Sequence, residues 1–180
     1  MASELRVDKI IPTTGVPTNG SGGVIQTVFY QAKSAGTANT STTSLMQTTT
    51  TATITPKFAT SHILIHCNFF YWFGTATDSN YCKATIYRNS TNLGIGDLGN
   101  NKVASHGSGT TNQNVIQWYQ SGNPMATYNN GVSISFIDKA HNSTSALTYT
   151  LYLGQHVANG AFYYGWTQQT NLMMLQELSA

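Results

Sequence analysis

The sequence predicts an all-β fold: a β-sandwich of jelly-roll-like type preceded by an extended N-terminal arm. Three observations predict it. Charged residues make up 8% of the 180, against about 25% in an average globular chain, so polarity comes from Thr, Ser, Asn and Gly. Ten Tyr, seven Phe and many Thr suit a pleated, half-buried surface, while the helix formers Glu, Lys and Arg are scarce. Strand-length segments separated by turn residues recur from about residue 51 to 178.

Taken in order, residues 1–23 form the arm and 24–180 the sandwich domain. In the arm Leu5 and Val7 alternate with Glu4, Arg6 and Asp8, and Ile10-Ile11-Pro12 leads into a Gly-rich stretch. Pro12 and Pro17 discourage regular pairing. Such an arm reaches on the order of 75 Å at about 3.3 Å per residue. Leu5, Val7, Ile10, Ile11, Val24 and Ile25 are therefore candidate anchor contacts with another subunit or a neighbouring protein. The apolar run 24–30 opens the domain, and a low-complexity Ser/Thr stretch holding Leu45 and Met46 follows. Segment 51–55 alternates and stops at Pro56; 132–136 and 147–151 alternate cleanly. Further strands are expected at 62–73, 80–88, 114–120, 161–166 and 171–178. Turn chemistry falls between them at Asn89-Ser90-Thr91-Asn92, Gly122-Asn123-Pro124, Asn129-Asn130-Gly131 and Asn159-Gly160. Eight or nine strands at this spacing indicate a sandwich or jelly roll.

Segment 62–73 is the most informative. One face carries Ile63, Ile65, Cys67, Phe69, Tyr71 and Phe73, and the other carries His62, Leu64, His66, Asn68, Phe70 and Trp72. A strand with water on one side should alternate apolar with polar. Here the second face also turns apolar toward its end, which implies cover on both sides. In a two-sheet sandwich only one face meets the core, so Leu64, Phe70 and Trp72 are assigned to a contact between subunits. Cover by a loop of the same chain is the alternative.

Several function classes are disfavoured. Net charge is +2, and the eight Lys and Arg are spread along the chain, so no phosphate-binding footprint exists. The first residues are charged where a signal peptide is apolar, and no run approaches the length of a membrane span. Nucleic acid and membrane insertion are not expected. With nothing directing export, Cys67 and Cys82 read as buried free thiols. His62 and His66 lie on one strand face but about 13 Å apart, too far to share a metal ion. No Gly-x-Ser-x-Gly occurs, and Gly94-x-Gly96-x-x-Gly99 opens no helix pattern. His106, His141, His156, Asp138 and many serines leave a dispersed Ser/His/Asp set open. Beyond the arm, Asp78, Asp97, Asp138 and Glu177 show no recognisable spacing for a glycosidase pair. No catalytic residue, metal ligand or cofactor is expected, and the chain reads as a non-enzyme.

Aromatic residues concentrate at Trp118-Tyr119 and at Phe162-Tyr163-Tyr164-Gly165-Trp166. They suit core or interface packing. If exposed, Trp118, Tyr119, Tyr163, Tyr164 and Trp166 are candidate host contacts, a stacking platform for glycan rings. The polar stretch 99–114 is a second candidate contact surface, since binding residues favour loops on a rigid scaffold.

The opening Ser3-Glu4-Leu5-Arg6-Val7-Asp8-Lys9-Ile10-Ile11-Pro12, with Gly15-Val16-Pro17-Thr18 and Gly22-Gly23-Val24-Ile25-Gln26, resembles the start shared by virion and fibre-like proteins of marine and cyanobacterial phages. Ala52-Thr53-Ile54-Thr55-Pro56 before Ser61 and Ile63-Leu64-Ile65 is similar to the core domain of the same group. So are Ser133-Ile134-Ser135-Phe136-Ile137-Asp138 and the ending Leu172-Met173-Met174-Leu175-Gln176-Glu177-Leu178. The resemblance spans nearly the whole chain and is weakest over 74–130. It implies a virion structural protein with a small jelly-roll-like head, a homotrimer without catalytic residues, made in the host cytoplasm and built into the particle. The expected role is a tail-fibre or receptor-binding subunit, anchored to other virion proteins and facing a host glycan or protein. The alternative is a capsid decoration or cement protein.

Overall fold

In a computed structural model of the chain, residues 23–33, 44–73, 80–94, 116–120, 130–155, 162–164 and 170–180 are described. They form the strands β1 (Val24–Lys33), β2 (Met46–Ile54), β3 (His62–Phe73), β4 (Asn80–Arg88), β5 (Thr91–Asn92), β6 (Ile116–Gln120), β7 (Asn130–Asp138), β8 (Leu147–Gln155), β9 (Phe162–Tyr164) and β10 (Thr170–Leu178).

The long strands pair antiparallel in nested order: β1 with β10, β2 with β8, β3 with β7, β4 with β6. The chain is one long hairpin whose rungs are laid alternately in two sheets, β1-β10-β3-β7 (sheet A) and β2-β8-β4-β6 (sheet B). That is the jelly-roll arrangement expected from the sequence. The two-residue β5 shares the far side of β4 with β6. Tyr71 pairs with both Asn130 and Tyr164, so β9 lies on the β10 side of β3.

Alternation of period two sorts the side chains. Ile54, Ile63, Ile65, Cys67, Phe69, Ile86, Ile134, Tyr149, Leu151, Leu153, Met173 and Leu175 are buried between the sheets. Cys67 is a free, buried thiol, and burial pushes its pKa up to about 12. For Cys82 only its place in β4 is described. The turn after β4 has Asn89 at φ 52°, a left-handed conformation that Asn tolerates. Its side chain accepts from the Thr148 N–H at 3.0 Å, so the predicted turn also ties β4 to β8.

One boundary needs correcting. The second strand starts at Met46, not at residue 51, drawing part of the Ser/Thr stretch into sheet B. Thr48 and Thr50 point inward and are buried. Thr48 Oγ1 donates to the Leu151 carbonyl at 2.8 Å, and Thr50 Oγ1 pairs with the Tyr164 hydroxyl. A strand with threonine on its core face shows no apolar alternation to read.

Polar groups close the sandwich at both ends. At one end Tyr164 also accepts from Asn171 Nδ2 at 3.1 Å. At the other, Gln26, Glu177, Ile63 and Asp138 form one row across sheet A. Arg88 on β4 donates to both Asp138 oxygens at 2.8 and 2.7 Å, and Tyr149 on β8 donates at 2.8 Å. This buried pair clamps the two sheets. Beside it Glu177 is held by donors from β1 and from the β2–β3 connection.

Candidate interaction surface

The outer faces of the two sheets differ in chemistry. On sheet B, Thr51 and Thr150 pair through their hydroxyls at 3.0 Å, and Thr53 and Thr148 at 2.9 Å. Tyr87 stacks on Tyr152 with ring centroids 4.0 Å apart, and the Tyr152 hydroxyl donates to Gln47 at 3.3 Å. The exposed part of this face is hydroxyl and amide, which suits water, while Thr85 and Thr150 of the same parity are buried.

Sheet A presents the reverse. Register places its outward side chains in rows: Val24, Leu178, His62; Thr27, Gln176, Leu64, Ile137; Phe29, Met174, His66, Ser135; Gln31, Leu172, Asn68, Ser133. Phe29 is 68% exposed, Val24 56% and Ile137 37%. Leu64, Leu172, Met174 and Leu178 are half-buried between them. No side chain in these four rows is Asp, Glu, Lys or Arg; Lys33, of the same parity in β1 and paired with Thr170, ends that strand, and its side chain is outside the described residues. Two pairs of polar members bond to each other: His66 Nδ1 lies 2.5 Å from Ser135 Oγ, and Gln176 donates to Thr27 at 3.3 Å. Val24, Phe29 and Ile137 are the exposed apolar side chains of the face, set among exposed Thr27, Gln31, Ser133 and Ser135. Exposed large apolar side chains on one sheet face mark an interaction site.

Two of the three residues assigned to the subunit contact, Leu64 and Phe70, are on this outer face and half-buried. Phe70 lies flat over Gly131, where a Cβ would stand 2.9 Å from its ring. Trp72 occupies the same parity of β3, and its side chain is outside the described residues. Sequence reasoning missed Phe29, Ile137, Leu172, Met174 and Leu178. Their signal was the loss of alternation in 171–178 and the Phe136-Ile137 pair.

Of the candidate anchors, Val24 and Ile25 open β1, with Ile25 half-buried at a register shift. Leu5, Val7, Ile10 and Ile11 are outside the described residues. The aromatic candidates do not form a single described cluster. Trp118 and Tyr119 belong to β6 in sheet B, opposite Cys82 and Tyr81. Tyr163 belongs to β9 in sheet A and is half-buried, while Trp166 and 99–114 are outside the described residues. Tyr164 must be withdrawn as a host contact. It is 1% exposed, because its hydroxyl serves the buried Thr50–Asn171 bridge. Burial drives its pKa upward.

The dispersed Ser/His/acid set does converge, on Ser61, His141 and Glu177, in an order that builds structure. His141 Nε2 donates to the Ser61 carbonyl at 2.6 Å and stands 3.4 Å from its Oγ. Its Nδ1 lies 3.2 Å from the Ser143 carbonyl oxygen and 3.3 Å from the Ser143 amide nitrogen. Ser61 Oγ lies 2.7 Å from both Glu177 Oε1 and the Phe58 carbonyl, so its proton is committed to acceptors. All three residues are buried. A nucleophile would need the imidazole to accept from Oγ, and the Oγ to be reachable. Among the described residues no group of three His, Cys, Asp or Glu could hold a metal ion, and no helix is long and apolar enough to cross a membrane.

No protein-family model matches the sequence, and no curated protein is significantly similar to it. Among solved structures, the chain is similar to one of the infectious bursal disease virus Gx strain, at 13% identity and a TM-score of 0.39, covering 95% of this chain and 37% of that one. It is similar to the infectious bursal disease virus VP2 subviral particle at 11% identity and a TM-score of 0.43, covering 94% and 42%. The Gt strain structure gives 12% identity and a TM-score of 0.39. The chain thus spans less than half the length of these viral chains.

Proposed function

We propose that this chain is a structural protein of a bacteriophage particle, a homotrimeric tail-fibre or receptor-binding subunit. The observation that carries this reading is the asymmetry of the sandwich. One outer face shows hydroxyls and amides, whereas the other exposes Val24, Phe29 and Ile137 and has no Asp, Glu, Lys or Arg in the four rows described. A subunit made for permanent assembly has that construction. Jelly rolls serve in viral capsid and lectin domains, and because a fold alone assigns no function, the surface is the stronger support. The phage-like motifs in the arm and in the domain supply the rest. In this reading residues 1–23 anchor the subunit to other virion proteins, and Trp118, Tyr119 and Tyr163 are the remaining described aromatic positions for a host glycan or protein. Three copies convert weak single contacts into avidity. The chain binds and does not catalyse.

A capsid decoration or cement protein is the second reading, favoured by how broad and flat the apolar face is, as seating on a shell requires. Copy number in purified virions, measured by quantitative mass spectrometry, tests both. A few copies in step with other tail proteins fit the fibre, and many copies in proportion to the major shell protein fit decoration. Absence from the particle contradicts both.

A further inference from the structure

Resting on the reading of the chain as an assembled subunit, we propose that the outer face of sheet A is covered by a second copy of this same chain. The face is the product of register. Alternate positions of β1, β10, β3 and β7 project outward together, and Val24, Phe29, Leu64, Ile137, Leu172, Met174 and Leu178 stand there among Thr, Gln, His, Asn and Ser side chains. Area and composition identify the occupant. Four strands at about 4.8 Å spacing, over about nine residues at about 3.3 Å, give a face of on the order of 500 Å². Two surfaces of that size bury about 1,000 Å² together, the threshold for a specific protein–protein interface. Depletion of charge with enrichment of Phe, Met and Leu is the composition of a homo-oligomeric contact. A transient partner, or a host surface reached by steering, would instead be met by charge. The second copy is itself only 8% charged, so covering this face desolvates few ions.

The test is sedimentation equilibrium of the full chain over a wide concentration range, for the wild type and for two charge variants. Phe29 and Ile137 are exposed in the single chain, so Phe29→Lys with Ile137→Lys leaves the core untouched. The wild type is expected to sediment as an oligomer. The double-lysine variant is expected to lose association while keeping its circular dichroism. Mixing it with the Phe29→Glu, Ile137→Glu variant is expected to restore part of the association. A wild type that stays monomeric overturns the proposal, including the case in which residues 1–22 of the same chain cover the face. An oligomer that neither charge variant weakens also overturns it, because the contact then lies elsewhere. A monomer would also remove the homotrimer from the proposed function, whereas an oligomer indifferent to the charge variants overturns this contact alone; a place in the virion is judged separately by copy number.

Discussion

Replacing Glu177 with Gln tests how the polar end of the sandwich is held. Glu177 is fully buried, and its carboxylate accepts from neutral donors in two segments, β1 and the β2–β3 connection. Gln26 Nε2 donates to Oε2 at 2.6 Å, Ser61 Oγ to Oε1 at 2.7 Å, and the Phe58 N–H to Oε1 at 3.0 Å. The Lys57 N–H is shared, 2.8 Å from Oε1 and 3.0 Å from Oε2. An amide keeps one acceptor oxygen, so Phe58 and Ser61 stay served. Lys57 keeps its 2.8 Å contact with that oxygen, but the NH₂ then faces Gln26 Nε2, which cannot turn its own amide without setting its oxygen against the Thr55 carbonyl 2.7 Å away. Hydrogen bonds to a charged group contribute about 1.5–3 kcal/mol each. Losing one and weakening the others gives an expected loss of about 2–3 kcal/mol for Glu177→Gln, and of about 3–5 kcal/mol for Glu177→Leu, which strands the Lys57 and Phe58 N–H groups while Ser61 and Gln26 keep the Phe58 and Thr55 carbonyls. Burial works to raise the pKa of Glu177, but the hydrogen bonds from Lys57, Ser61, Gln26 and Phe58 overcome it, and the net shift is downward. A folded-state pKa below the unfolded value of about 4.3 contributes stability above that value, and the contribution is lost as pH falls through the folded pKa. Guanidinium unfolding at fixed protein concentration, repeated from neutral pH downward, measures this. The gap between wild type and Glu177→Gln should be constant above about pH 6 and shrink below about pH 4. A gap under about 0.5 kcal/mol at neutral pH, or one that does not shrink in acid, refutes the reasoning.

Three other outcomes follow from the same geometry. Arg88→Met leaves the Asp138 carboxylate buried without its cation, and chemical denaturation should show a loss of about 3–5 kcal/mol; adding Asp138→Asn should restore part of it. Tyr164→Phe removes the hydroxyl shared by Thr50 and Asn171 and should cost about 1–3 kcal/mol, without changing the oligomer. Cys67, with its pKa pushed up to about 12 inside the core, should resist an aromatic disulfide reagent at neutral pH until the protein unfolds, as followed by mass spectrometry of the labelled peptide.

The sequence was most legible where a strand keeps one wet face. Segments 132–136 and 147–151 alternate because their outward residues are Ser or Thr, and they lie inside β7 and β8. Reading 62–73 as a strand with two apolar faces located the outer face of sheet A, because Leu64 and Phe70 break the expected polarity. It did not give the extent of that face. Phe29 sits in an unbroken apolar run, and Met174 stands beside Met173, so composition alone could not say which of the pair points outward. Only the register of β1 and β3 on β10 decides it. Met46 to Thr50 failed for the opposite reason: inward threonines satisfied by long-range partners look like linker. Glu177 and Asp138 looked like isolated acids because their donors lie far away in sequence, the Lys57 amide 120 residues from Glu177 and Arg88 50 from Asp138.

The central claim, an apolar sheet face that assembly hides, is met most directly by hydroxyl-radical footprinting of the intact virion against the dissociated subunit. Phe29, Met174 and Ile137 should be oxidised slowly in the particle and rapidly in the subunit, while Tyr152 on the opposite sheet reacts similarly in both if that face stays open. Equal oxidation of Phe29, Met174 and Ile137 in particle and free subunit would contradict it.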